Sequence, residues 1–107
     1  MSALLPLAAL SGAVAVIAGA FGAHAATGKA VEWLHTGAQY QLIHAVATLV
    51  ALQLGGRWAA VALLAGSALF AATLYAMALG APRWLGAITP LGGLAMIAGW
   101  GLLALRR

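Results

Sequence analysis

The sequence has no cysteine and a single acidic residue, Glu32. The first absence excludes disulfides, thiolate metal sites and cysteine nucleophiles, and it leaves the redox compartment open. The second leaves a proton-coupled carrier without the intramembrane carboxylate that such proteins ordinarily use. Charge of either sign is scarce. Only 6% of residues are charged, against about 25% in an ordinary soluble domain. Lys29, Arg57, Arg83, Arg106 and Arg107, set against Glu32, give a net charge of +4. They are scattered and have no aromatic stacking platform beside them. The charge therefore sets topology and does not point to nucleic acid.

What is present is apolar surface. Of 107 residues, 65% are hydrophobic, and mean hydropathy is +1.07. A globule this small could not hide that surface from water, because small domains bury a modest share of theirs. Lipid must be the solvent. Four continuous apolar runs reach the roughly 20 residues that a helix needs to cross the hydrocarbon. They cover about 3–23, 33–54, 58–79 and 84–105. Transmembrane strands would alternate apolar and polar residues, and these runs do not. The fold class is therefore all-α: a polytopic membrane protein, a four-transmembrane-helix up-down bundle forming one domain over 1–107. Ala23-His24-Ala25 imitates a signal-peptide cleavage site, but no basic residue precedes the run, and the run is long for a signal core. It reads as an uncleaved first span.

A polar segment from His24 to Glu32 joins the first two spans. Gly55-Gly56-Arg57 and Gly80-Ala81-Pro82-Arg83 are turns, with Pro82 suited to the first position of a helix. Trp33, Trp58 and Trp84 stand at span ends as interfacial aromatics do, and Trp100 lies about a turn inside the last. Four spans put both termini on one side, with Arg57, Arg106 and Arg107. The other side has Lys29 and Arg83, so the positive-inside bias places both termini in the cytoplasm. Within lipid, helices associate through small residues and interhelical hydrogen bonds. Gly12, Ala15, Gly19 and Gly22 form one ridge on the first helix. Gly86 and Gly93, with Gly92, Gly99 and Gly101, offer packing surfaces on the fourth, and Gly66 does so on the third. The same ridges could join subunits.

The second span is the most polar. Gln41, His44 and Thr48 fall at i, i+3 and i+7, with Gly37 and Ala45 beside them and Tyr40 on the flank. An imidazole and an amide near mid-membrane are costly unless paired, so this face turns inward. Helix direction brings His24, Tyr75 and Thr89 toward the same half of the bundle. His24, Tyr40, Gln41, His44, Tyr75 and Thr89 are thus the candidate ligand- or partner-binding set. Pro90 is expected to kink the fourth helix, freeing the carbonyl of Gly86 for a partner in that set; the other reading, in which Thr89 caps and Pro90 opens the helix, leaves about 16 residues, short for a span.

An interhelical network that only fixes the bundle is the competing reading of these polar residues. His24 and His44 lack carboxylate or thiolate companions, and Met77 and Met96 do not make up the difference, so no metal site and no cofactor are expected. Ser11, Ser67, Thr73 and Thr89 lack a histidine-plus-acid companion, so no enzyme is expected. Lys29 and Glu32 read as an i, i+3 surface pair.

The motifs Gly19-Ala20-Phe21-Gly22-Ala23-His24, Thr36-Gly37-x-x-Tyr40-Gln41-x-x-His44-Ala45, Phe70-x-x-x-Leu74-Tyr75 and Arg83-Trp84-Leu85-Gly86-x-Ile88-Thr89-Pro90-x-Gly92-Gly93, with Gly99-Trp100, are found in order along nearly the whole chain. Together they resemble the small bacterial inner-membrane proteins of domain-of-unknown-function family 423, the YgdD/YwdK-like or UPF0382 group. Ala71-Ala72-Thr73 departs from the family's usual Ser-Gly-Ser, which counts against any role for a serine there. The resemblance implies a multi-pass protein of the bacterial inner membrane. The expected function is a non-enzymatic accessory, scaffold or lipid/small-molecule-binding protein. Its partners would be the bilayer and either a second copy or another membrane protein. The alternative is a small-solute channel or transporter acting as an oligomer.

Overall fold

The computed structural model describes residues 3–106. Among them are four α-helices and no strand: α1 (Leu4–His24), α2 (Lys29–Gln53), α3 (Arg57–Ala78) and α4 (Thr89–Ala104). A 3-10 helix over Arg83–Ala87 leads into α4. The helices run up and down in sequence. The long axis of the molecule is 44 Å, close to the roughly 40–45 Å of a bilayer with its headgroups.

Two boundaries differ from the sequence expectation. α2 starts at Lys29, a turn before Trp33. Gly28, at φ +64, reverses the chain immediately before it, and Glu32 in the first turn suits the positive end of the helix dipole. The polar stretch from Lys29 is thus the first turn of α2, and the connection shrinks to four residues, 25–28.

The second difference is a correction. Pro90 does not kink a long helix; it sits in the first turn of α4, which is 16 residues long. There a proline has no intrahelical N–H bond to lose. The shortfall in length is made up by the 3-10 segment, whose rise of about 2.0 Å per residue exceeds that of an α-helix. Arg83–Ala104 as a whole, with Leu4–His24 and Arg57–Ala78, is long and apolar enough to cross a membrane. α2 has the length, at 25 residues, but its polar side chains lower its apolarity.

The packing inverts that of a soluble bundle. The buried residues of α1 are Ala8, Ala15, Ala18 and Gly22, all small. Meanwhile Leu10, Ile17, Leu94 and Ile97 are 62–68% exposed. Water would not tolerate that arrangement, whereas lipid is indifferent to the large side chains and leaves close backbone approach to hold the helices. A Cβ added at Gly12 would lie 3.7 Å from that of Ala45, one at Gly19 3.6 Å from that of Ala38, and one at Gly22 2.9 Å from that of Leu34. This ridge seats α1 on α2. Gly66 and Gly92 face each other so closely that a Cβ on Gly66 would come within 2.8 Å of the Gly92 carbonyl oxygen. There α3 and α4 meet backbone to backbone. Gly86 has only Met77 near it, and a Cβ at Gly93 would meet nothing within 4 Å; Gly93 is half-buried and borders the cleft beside Tyr40 and Phe70. α1 packs chiefly on α2, and α4 chiefly on α3, so α2 and α3 form the centre of an open row.

Candidate functional site

The inward face of α2 organises the polar interior. Gln41 and His44 are both 6% exposed and Thr48 is fully buried. Gly37, one turn before Gln41, lacks the side chain that would obstruct Tyr75, and the tyrosine ring lies across it. Tyr75 then reaches Gln41, and its hydroxyl donates to Oε1 at 2.6 Å. The other end of the same amide, Nε2, donates to Ser11 Oγ of α1 at 3.0 Å. One glutamine thus ties α1, α2 and α3 together.

His44 faces the other flank. Its Nδ1 is 2.7 Å from the carbonyl of Tyr40, and its Nε2 lies 3.0 Å from Nε1 of Trp100 on α4. An indole nitrogen can only donate, so Nε2 must accept and Nδ1 must carry the hydrogen that goes to Tyr40. The imidazole is held as the neutral Nδ1–H tautomer with both nitrogens engaged. The Tyr40 ring stacks beside it at 6.1 Å and contacts Phe70 at 4.8 Å. A cleft of about 340 Å³ opens beside these rings, bounded by Met96, Ile97 and Trp100.

The six sequence-derived residues therefore separate. Gln41 and Tyr75 are joined directly. Tyr40 and His44 share the second cluster. Thr89 bonds instead to Thr73, at 2.6 Å between hydroxyls, linking α3 to the start of α4. His24 is exposed at the end of α1, away from both clusters. The carbonyl freed by a kink at Pro90, expected to seek a partner in this set, does not arise. Two members escaped sequence reasoning. Ser11 is the one polar side chain within α1 before His24, and a lone hydroxyl in a span implies a partner. Trp100 stands too far inside its helix for an interfacial anchor, which was the signal available for it.

Thr48 donates to the carbonyl of His44, Ser67 to that of Leu64 and Thr73 to that of Phe70. Among the described residues no buried side-chain nitrogen or oxygen lacks a partner, and no group of three or more potential metal ligands forms. On the α1 side of Gln41 runs an apolar groove of about 490 Å³, between Leu4, Leu7, Leu10 and Val14 of α1 and Val61, Leu64, Ala65 and Ala68 of α3.

Comparison with known proteins finds relatives of the chain as a whole. The family described as "Protein of unknown function (DUF423)" matches residues 18–93. The chain is 41% identical to the UPF0382 inner membrane protein YgdD of Escherichia coli K12, over 94% of this chain and 85% of that one. It is 40% identical to a UPF0382 membrane protein of Haemophilus influenzae, over 94% and 89%. With the UPF0382 membrane protein YwdK of Bacillus subtilis the identity is 36%, over 94% and 91%. No solved structure matches.

Proposed function

This chain belongs to the DUF423 family, the UPF0382 membrane proteins, and within it we propose a non-enzymatic accessory role: a four-span scaffold of the bacterial inner membrane that holds a lipid chain against α1 and α3. The observation that carries the non-enzymatic half is the engagement of His44. Both ring nitrogens are committed, one to Tyr40 and one to Trp100, so this buried imidazole is not free to serve as a general base. The polar network fixes the helices, and α2 counts as the fourth span because its polar side chains are satisfied inside the bundle.

The groove beside Ser11 supports the lipid half. From Leu4 to Val14 it follows about 15 Å of helix rise, roughly half of a 30 Å hydrocarbon core. An apolar groove open sideways to lipid and one leaflet deep suits an acyl chain. Ala65 and Ala68 line it and are exposed, so Ala65→Phe and Ala68→Phe fill it without touching the core. Purified in mild detergent, the parent chain should carry lipid detectable by mass spectrometry, and these variants should carry less. An unchanged lipid complement removes the groove from the proposal. Solute flux in proteoliposomes, abolished by the same substitutions, would favour the transporter reading instead.

A further inference from the structure

At the end of the molecule where α1 begins and α4 ends, a pocket of about 430 Å³ opens between the α2–α3 turn, the start of α3 and the end of α4. Arg57 and Arg106 both line it, with Gly55, Trp58, Leu102 and Leu105. Two guanidinium groups line this space, and among the described residues no acidic side chain lines it with them. The only acidic side chain of the sequence, Glu32, is at the opposite end of the molecule, 3.8 Å from Lys29. Arg106 is fixed in place: its Nε donates to the carbonyl of Leu54 at 2.7 Å, which leaves its terminal nitrogens available. Arg57 lies over the Trp58 ring at 5.8 Å and makes no hydrogen bond or ion pair among the described residues. Around the two cations the surface is apolar. Trp58 is 70% and Leu105 79% exposed, at the level where a helix end meets the headgroups.

We propose that this pocket binds the phosphodiester headgroup of an anionic phospholipid, with Arg57 and Arg106 on the phosphate and Trp58, Leu102 and Leu105 against the upper acyl chains. Paired guanidinium groups match phosphate oxygens in a fork geometry. Two like charges held in one pocket at a membrane surface gain most from a dianionic or anionic headgroup between them. The tails continue onto the exposed apolar flanks of α3 and α4. This site is separate from the groove beside Ser11, and Ala65→Phe, which fills that groove, leaves it intact.

The test uses the whole chain in nanodiscs of phosphatidylcholine doped with phosphatidylglycerol, with retained lipid counted by native mass spectrometry. The parent should retain phosphatidylglycerol over phosphatidylcholine, saturably. Arg57→Gln should weaken that retention by at least about fivefold, on the order of what one basic side chain contributes at an anionic surface. Arg57→Lys should retain part of it. Arg83→Gln removes the same charge from the opposite end of the molecule and should leave retention unchanged. Equal losses in Arg57→Gln and Arg83→Gln would reduce the effect to diffuse attraction and overturn the proposal. So would equal retention of the two lipids by the parent, or displacement of phosphatidylglycerol by millimolar inorganic phosphate, since the apolar contacts would then contribute nothing.

Discussion

Gly37 of α2 and Tyr75 of α3 are fitted to each other: a Cβ at position 37 would lie 2.7 Å from Cε1 of the tyrosine ring. The missing side chain is what allows the Tyr75 hydroxyl to reach Gln41 one turn further along. Gly37→Ala should therefore act as a hydrogen-bond mutation as well as a packing one. It should destabilise the protein by about 1–3 kcal/mol, as overpacking does. Combined with Tyr75→Phe it should add much less than the sum of the two. Thermal unfolding in detergent checks this; full additivity would separate Gly37 from the network.

The Tyr75–Gln41 bond itself is open to a double-mutant cycle of Tyr75→Phe and Gln41→Leu. Interhelical hydrogen bonds in membranes couple by about 0.6 kcal/mol on average and up to about 1.7. The upper part of that range is expected here, because Gln41 holds Ser11 with its other end. A coupling indistinguishable from zero would mean the contact carries no stability.

His44 should show one tautomer. Nitrogen-15 NMR of labelled imidazole should find Nδ1 protonated and Nε2 bare, shifted by the indole donor. Trp100→Phe removes that donor and should change the Nε2 resonance while leaving Nδ1 bound to Tyr40. An Nε2–H tautomer in the parent is incompatible with the arrangement described.

Gly92 and Gly93 are neighbours with opposite surroundings. A Cβ at 92 would lie 2.6 Å from the Gly66 carbonyl oxygen, whereas at 93 it meets nothing within 4 Å. Gly92→Ala should cost about 1–3 kcal/mol by forcing α3 and α4 apart. Gly93→Ala should stabilise by about 0.5–1 kcal/mol, since alanine loses less freedom in a helix. Equal effects on the unfolding midpoint would show that α3 and α4 do not meet at position 92.

Pro90→Ala tests the first-turn position. An interior proline costs about 3 kcal/mol or more, so its removal from a kinked helix would be strongly stabilising. In the first turn of α4 the change should stay within about 1 kcal/mol by the same measurement.

Several of these relationships could be anticipated. Counting helix rise from each end puts Gln41 and Tyr75 at a similar depth on opposing helices, and the structure joins them. The glycine ridge of α1 follows from periodicity alone, and its occupants on α2, Ala38 and Ala45, are a heptad apart like the glycines they meet. Trp100 on His44 was not legible, because no sequence interval sets the register of α4 against α2 across an intervening α3. The destination of Thr89 was missed for a related reason. A proline after it can either interrupt a helix or begin one, and only the 3-10 winding of Arg83–Ala87 shows which.

Composition and hydrophobic run length alone determined that this chain lives in lipid as a set of helices and that α2 must turn its polar face inward. Those conclusions need only the cost of putting apolar area in water and unpaired polar groups in hydrocarbon. Tertiary structure decided which polar groups meet and which cations share a pocket. Hydrogen bonds and ion contacts act over about 3 Å, and the crossing of two helices shifts side chains by more than that without changing a single residue of the pattern.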